Sequence, residues 1–246
     1  MFGQRGRQRI GLCIRRRCWC RYINYAHSSD TFQRYSQAMA EHGQAEQKKL
    51  LDFLRIVGKL KHLKRTGWVR RQVTEPETVA GHMYRMSVMA LVAAGRAQVD
   101  QVRAVKMALV HDLAEALVGD LTPHCGVSAD DKHARELAAL ESIVAHVDEA
   151  AACEIMALFL EYEAHATREA CFVHDLDKLD MVLQADEYEA AQGCDLQEFF
   201  DSTRDVFRTD DMRALNAELR RQREQRRAGD GGAAGEPAAA PGTGSD

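Results

Sequence analysis

Proline is almost missing from the body of this 246-residue chain: of four in all, Pro237 and Pro241 lie in the last stretch, leaving only Pro76 and Pro123. Glycine is thin between residues 44 and 228. So few breakers, with long apolar repeats at helical spacing, exclude a turn-rich strand fold and point to an all-α helical bundle. Basic residues are not in excess, 33 against 37 acids for a net charge of −4, so no general nucleic-acid binder is expected. No apolar run reaches the roughly 18 residues that span a bilayer, so no membrane association is expected. The seven cysteines are odd in number and irregularly spaced, which excludes a disulfide framework and points to a reducing compartment. Cys18-Trp-Cys20 lacks the two-residue spacing and the partner pair of a zinc site.

What is present divides the chain. Residues 1–29 hold seven arginines and no acid, the composition of a mitochondrial transit peptide or of a stretch translated from an upstream start. The expected location is cytoplasmic, with a mitochondrial address as the alternative. Residues 1–45 are set apart as an Arg-rich extension whose polar end, 30–45, is a mobile lead-in. The folded domain is expected over 46–208, a charged and solvated helix over 209–227, and a disordered Gly/Ala/Pro tail over 228–246.

Within the domain, Leu50, Leu51, Leu54, Val57 and Leu60, with Phe53 and Ile56, mark one side of a first helix. Residues 65–71 read as a turn with Gly67 as the stop. Thr74 reads as the N-cap of a helix with Pro76 in its first turn. That helix carries His82 on the same side as Met86 and Met89, facing inward. The next helix runs from about Gln101 to Val118, ended by Gly119. Asp130 or Ser128 caps a helix to His146, and two more follow at about 149–165 and 169–191.

The polar residues of the stretch 106–122 need an explanation. His111 and Asp112 stand side by side in the middle of an apolar helix, Glu115 follows one turn later, and Asp120 lies just past the end. Burying that polarity is costly unless something pairs with it. A buried hydrogen-bond network would compensate it, and so would a divalent cation, which takes imidazole and carboxylate ligands. His82 could reach the pair across a helix crossing. A fourth ligand would come from Asp175, Asp177 or Asp180, and spacing does not choose among them; His174-Asp175 is a second His-Asp pair and a decoy candidate.

The order His82, His111-Asp112 and a distant Asp resembles the HD-domain metal-dependent phosphohydrolases. Arg65-Thr-Gly-Trp68, Gly81-His-Met-Tyr-Arg-Met86, Leu109-Val-His-Asp-Leu-Ala-Glu115, Val118-Gly-Asp120 and Leu176-Asp-Lys-Leu-Asp-Met-Val-Leu-Gln-Ala185, then Glu187-Tyr-Glu189, narrow it to the HD-domain 5′-deoxynucleotidases, from about Leu50 to Phe207. The resemblance implies a divalent metal cation (Mn, Co, Mg or similar) on His82, His111, Asp112 and Asp177. It implies that Glu115 holds and orients the attacking water, and that Glu115, Asp120 and the Leu121 carbonyl complete a second metal position or engage substrate. Arg65 matches the arginine that orients the phosphate, and Trp68 the tryptophan near the sugar that disfavours a 2′-hydroxyl. Gly81 replaces a more usual acid or polar residue, so an outer contact to the site is lost. The implied substrate is a 2′-deoxyribonucleoside 5′-monophosphate and the implied assembly a homodimer. The alternatives are another HD phosphohydrolase, acting on a cyclic nucleotide, a nucleoside triphosphate or guanosine tetraphosphate, and a non-catalytic metal- or nucleotide-binding protein. The scattered basic residues between 66 and 207 weigh against extra phosphates, and Glu115 and Arg65 weigh against a purely structural metal.

Overall fold

The computed structural model describes residues 29–233, and every described element is helical. The Arg-rich segment 1–28 and residues 234–246, where targeting and disorder were expected, lie outside the described residues, while 228–233, expected to be part of the disordered tail, continue the last helix. The order is α1 Ser29–Gly58, α2 Thr66–Arg70, α3 Val79–Ala97, α4 Gln101–Val110 and α5 Glu115–Val118. It continues with α6 Ala129–Val144, α7 Glu149–Ala164, α8 Arg168–Gln192, α9 Gln197–Ser202 and α10 Asp210–Ala233. Short 3-10 turns lie at Lys59–Lys61 and Pro123–Cys125.

The chain divides into two units, residues 1–51 and 52–246. In the first, the expected lead-in is helical from Ser29, and Leu50 and Leu51 are exposed rather than inward. In the second, Leu54 is also exposed, while Phe53, Ile56, Val57 and Leu60 pack with Val79, Met83, Leu140 and Phe159. Thus the buried stripe of α1 is narrower than its run of leucines.

The core that positions the site lies among α3, α4, α7 and α8. Met86, Ala90 and Ala94 of α3 meet Ala104, Met107 and Ala108 of α4, then Leu158 and Tyr162 of α7 and Phe172, Leu176 and Leu179 of α8. Small residues on α3 and α4 let those two helices approach closely. Polar side chains cap most starts: Thr78, Asp100, Ser128, Asp148 and Thr167 each accept a backbone N–H of the turn they open.

Four local expectations are corrected. The helix after residue 74 begins at Val79 with Thr78, not Thr74, as its cap, and Pro76 stays outside it. The segment 65–71 holds a short helix, α2, with Gly67 inside it rather than at its end, facing the ring of Phe199. The helix expected from 101 to 118 is broken: α4 stops at Val110 and α5 starts at Glu115. Between them Leu113 N–H donates to Val110 O and Glu115 N–H to Asp112 O, the tighter three-residue pattern. Finally, α10 is no solvated appendage. Met212, Asn216 and Arg223 are buried, and Arg223 and Arg226 pair with Glu189 and Asp186 of α8.

Candidate metal centre

His82 sits in the first turn of α3, whose N-terminus is tied to the preceding chain. Arg65 N–H donates to the Glu77 carbonyl at 3.1 Å, and Val79 N–H to the Leu63 carbonyl at 2.9 Å. That pairing sets Arg65 beside His82. His82 is 0% exposed; its Nδ1 donates to Asp180 Oδ2 at 2.7 Å, and Asp180 also binds Arg85. The ring is therefore oriented, with Nε2 turned toward Asp177 Oδ1 at 3.2 Å and Asp112 Oδ2 at 3.7 Å.

His111 is fixed in the same manner from another helix. Its Nδ1 donates to the Ala108 carbonyl at 3.0 Å, leaving Nε2 3.1 Å from Asp112 Oδ2. Hence Asp112 Oδ2 faces the Nε2 atoms of both imidazoles, and Asp177 Oδ1 faces that of His82. His82, His111 and Asp177 each offer a ligand atom within 4.8 Å of the other two. Both Nε2 atoms, and Glu115 Oε2, are buried without a hydrogen-bond partner. Orphaned buried acceptors are expensive, and a cation removes the cost. The residues fit a divalent metal, and which metal is not fixed by them.

The electrostatics agree. Burial opposes charge on Asp112 and Asp177, yet His111, His82 and Arg65 for the first, and Lys178, His82 and Arg65 for the second, hold both below the usual carboxylate range. Burial and Arg65 oppose a charge on His82, but Asp177 and Asp180 raise its pKa to about 9. Burial, together with Asp112 and Asp120, pushes Glu115 well above its ordinary value. Burial also opposes charge on Arg65, and Asp177, Asp112 and Asp120 more than offset it.

The centre opens into a cavity of about 300 Å³ bordered by Arg65, Trp68, His111, Asp112, Glu115, Asp120, Leu121 and Asp177. Arg65 lies 3.5 Å from Asp112 and 3.9 Å from Asp177. Asp120 is held by α2: its Oδ2 accepts Thr66 N–H at 2.6 Å and its carbonyl accepts the Thr66 hydroxyl at 2.8 Å. Gly119, at φ 79, makes the bend that sends Asp120 back to α2. Trp68 is 1% exposed, wedged against Tyr188 and Phe199, with its N–H on Glu77 Oε1 at 2.9 Å. A larger cavity of about 490 Å³, bordered by Arg96, Thr167 and Arg208, holds none of these groups.

Of the residues singled out in the sequence, Arg65, Trp68, His111, Asp112, Glu115, Asp120, Leu121 and Asp177 border this cavity, and His82 lies fully buried beside Asp112 and Asp177. Of the three candidate acids on α8, Asp177 is the one at the point of convergence. Asp180 lies behind His82, and Asp175 turns away to the backbone of Arg208 and Thr209. Lys132, Glu136, Tyr162 and Lys178 also border the cavity and were not anticipated. The Lys132–Glu136 spacing of four was the one available signal, and it is common on exposed helices.

A helical bundle carrying this His, His-Asp, Asp set has a family counterpart. The HD-domain family model matches residues 57–217, and the chain belongs to that family. Among its relatives is 5′-deoxynucleotidase HDDC2 of Bos taurus, 44% identical over 190 residues, covering 76% of this chain and 91% of that one. Of solved structures, a conserved hypothetical protein from Pyrococcus furiosus superposes with a TM-score of 0.61 at 33% identity, over 70% of this chain and 99% of that one. A predicted metal-dependent phosphohydrolase from Magnetospirillum magnetotacticum gives 0.59 at 26% identity, over 74% and 97%.

Proposed function

We propose that the protein is a metal-dependent 5′-deoxynucleotidase, hydrolysing 2′-deoxyribonucleoside 5′-monophosphates to deoxynucleoside and phosphate. The observation that carries this is the convergence of two orphaned imidazole nitrogens and two carboxylates beside Glu115 and Arg65 in one cavity. The names of the curated relatives agree with it.

His82, His111, Asp112 and Asp177 would hold the cation, with Glu115, Asp120 and the Leu121 carbonyl at a second position. A divalent ion there supplies Lewis acidity and brings the ionisation of a water near neutrality, about pKa 7. Glu115, whose proton affinity is raised by burial and by Asp112 and Asp120, takes the proton of the attacking water. Arg65 faces the non-bridging oxygens and offsets charge that grows on them. Water attacks phosphorus, the bond from phosphorus to the 5′-oxygen breaks, and that oxygen leaves with the bonding pair and takes up a proton. Trp68, fixed on three sides, is the rigid wall against which a 2′-hydroxyl would not fit.

The test is phosphate release from deoxy- and ribonucleoside 5′-monophosphates with Mn²⁺, Co²⁺ or Mg²⁺. Deoxynucleotides should turn over much faster than ribonucleotides; equal rates would remove the role given to Trp68, and no release from any of them would end the proposal. The assembly is proposed to be a homodimer. Tyr84, Val88, Leu91 and Val92 on the outer side of α3 are all exposed, which supports self-association; light scattering at a mass near 27.5 kDa would rule it out. Among the described residues no helix is long and apolar enough to cross a membrane.

A further inference from the structure

We propose that Lys132 of α6 is a phosphate-binding residue of this cavity, a second cation besides Arg65 that grips the substrate's phosphoryl oxygens; the proposal rests on the phosphomonoesterase reading above.

Lys132 and Glu136 lie one turn apart, both border the cavity, and they pair at 3.3 Å. A pair of this spacing on an open helix face contributes about 0.3–0.5 kcal/mol and needs no buried acid. Glu136, however, is only 6% exposed, and its burial works against its charge. Helix stabilisation does not account for that cost. Holding the Lys132 ammonium at the cavity edge does, and the lysine side chain keeps 40% exposure there, so a ligand can reach it.

The charges of the cavity give the second argument. Its border carries six carboxyl groups (Asp112, Glu115, Asp120, Glu136, Glu163 and Asp177) against three cationic side chains, Arg65, Lys132 and Lys178. Arg65 faces Asp112 and Asp177, and Lys178 donates to Asp177 at 2.8 Å. Both are engaged with residues assigned to the metal. The partner of Lys132 lies outside that set, although Asp112 and Glu115 are near enough to favour its charge. A phosphate dianion entering so acidic a cavity needs local positive charge, and Lys132 can supply it without giving up a metal ligand.

The third argument is rigidity. Ser128 caps α6 by accepting Asp131 N–H at 3.1 Å. His133 pairs with Glu163 of α7 at 3.0 Å, and its ring stacks on Phe159 at 6.5 Å between centroids. The turn that carries Lys132 is thereby fixed to the bundle, as a site that must meet a small anion requires.

Inorganic phosphate is the probe. Its affinity for the Mn²⁺-loaded protein would be measured by calorimetric titration and as competitive inhibition, alongside Mn²⁺ affinity and melting temperature. Lys132→Met should weaken phosphate binding and lower kcat/KM for a deoxynucleotide by about tenfold to a hundredfold, the loss of one charged hydrogen bond. Mn²⁺ affinity should stay within about twofold, and Lys132→Arg should recover most of the phosphate affinity. Three results would overturn the proposal: unchanged phosphate affinity in Lys132→Met, a parallel fall in Mn²⁺ affinity, or a lowered melting temperature with no recovery by arginine. Should the wild-type protein hydrolyse no deoxynucleotide, the functional reading fails by itself, and the phosphate titration still decides the role of Lys132.

Discussion

The chain contains two His-Asp pairs, and their backbones give them different fates. His174-Asp175 lies in the regular part of α8, where neighbours point about 100° apart. His174 borders the cavity, and burial and Lys178 lower its pKa to about 4. Asp175, at 0% exposure, turns to the other side, where it accepts Arg208 N–H at 2.9 Å and the Thr209 N–H and hydroxyl at 2.7 Å each. His111-Asp112 lies where α4 gives way to tighter turns, and the two side chains reach one point, 3.1 Å apart. A His-Asp dipeptide is therefore not in itself a site. What separates the pairs is where the acid goes: the backbone of Arg208 and Thr209 satisfies Asp175, whereas Asp112 faces the Nε2 atoms of His111 and His82.

The largest expected effects fall on the second pair and its distant partner. Asp112→Ala and Asp177→Ala should each weaken Mn²⁺ binding by more than the 10–100-fold typical of outer contacts, with turnover lost in proportion. Calorimetric titration with Mn²⁺ checks this, and a loss as great in Asp175→Ala would erase the contrast. Next comes Glu115→Gln, which should keep Mn²⁺ affinity at the His82–His111–Asp112–Asp177 position within a few-fold and cut kcat by about 10²–10⁴, the range of a general base. Unchanged kcat would remove Glu115 from the chemistry.

Much of this was legible beforehand, for identifiable reasons. Helical periodicity and scarce breakers pointed to the class, and Asp112 and Asp177, singled out as ligand candidates, stand 3.7 and 3.2 Å from His82 Nε2. The break between Val110 and Glu115 was not legible, because Leu-Ala-Glu-Ala-Leu favours helix and only tertiary packing tightens those turns. Asp175 and Asp177 were equivalent at the edges of one stripe. The loop at Arg208 and Thr209, distant in sequence, decided between them. The burial of α10 was hidden because its arginines pair with acids of α8 that read as solvated charge. Leu50, Leu51 and Leu54 misled in the opposite direction, being apolar yet exposed.

Smaller effects are expected one layer out. Asp180→Asn keeps the shape behind His82 but removes the carboxylate that fixes its ring, so Mn²⁺ affinity should fall about 10–100-fold. Spectra of the Co²⁺-loaded protein would report a changed ligand field; an unaltered spectrum with unaltered affinity would show that Arg85 and packing alone orient the imidazole.

The least effect on turnover should come from Asp175→Ala, and that is what makes it informative. The change removes the acceptor of two part-buried backbone donors and a hydroxyl, at about 1–3 kcal/mol for an unsatisfied group, so stability should fall by roughly 2–4 kcal/mol. Each kcal/mol lowers the melting temperature of a chain this size by about 2–4 °C. Because the oxygens of Asp175 point to Arg208 and Thr209 rather than to the metal ligands, kcat per folded molecule should stay within about twofold of wild type below the transition. A large loss of kcat with little thermal shift would mean that the two pairs are coupled through α8 and that their separation is only apparent.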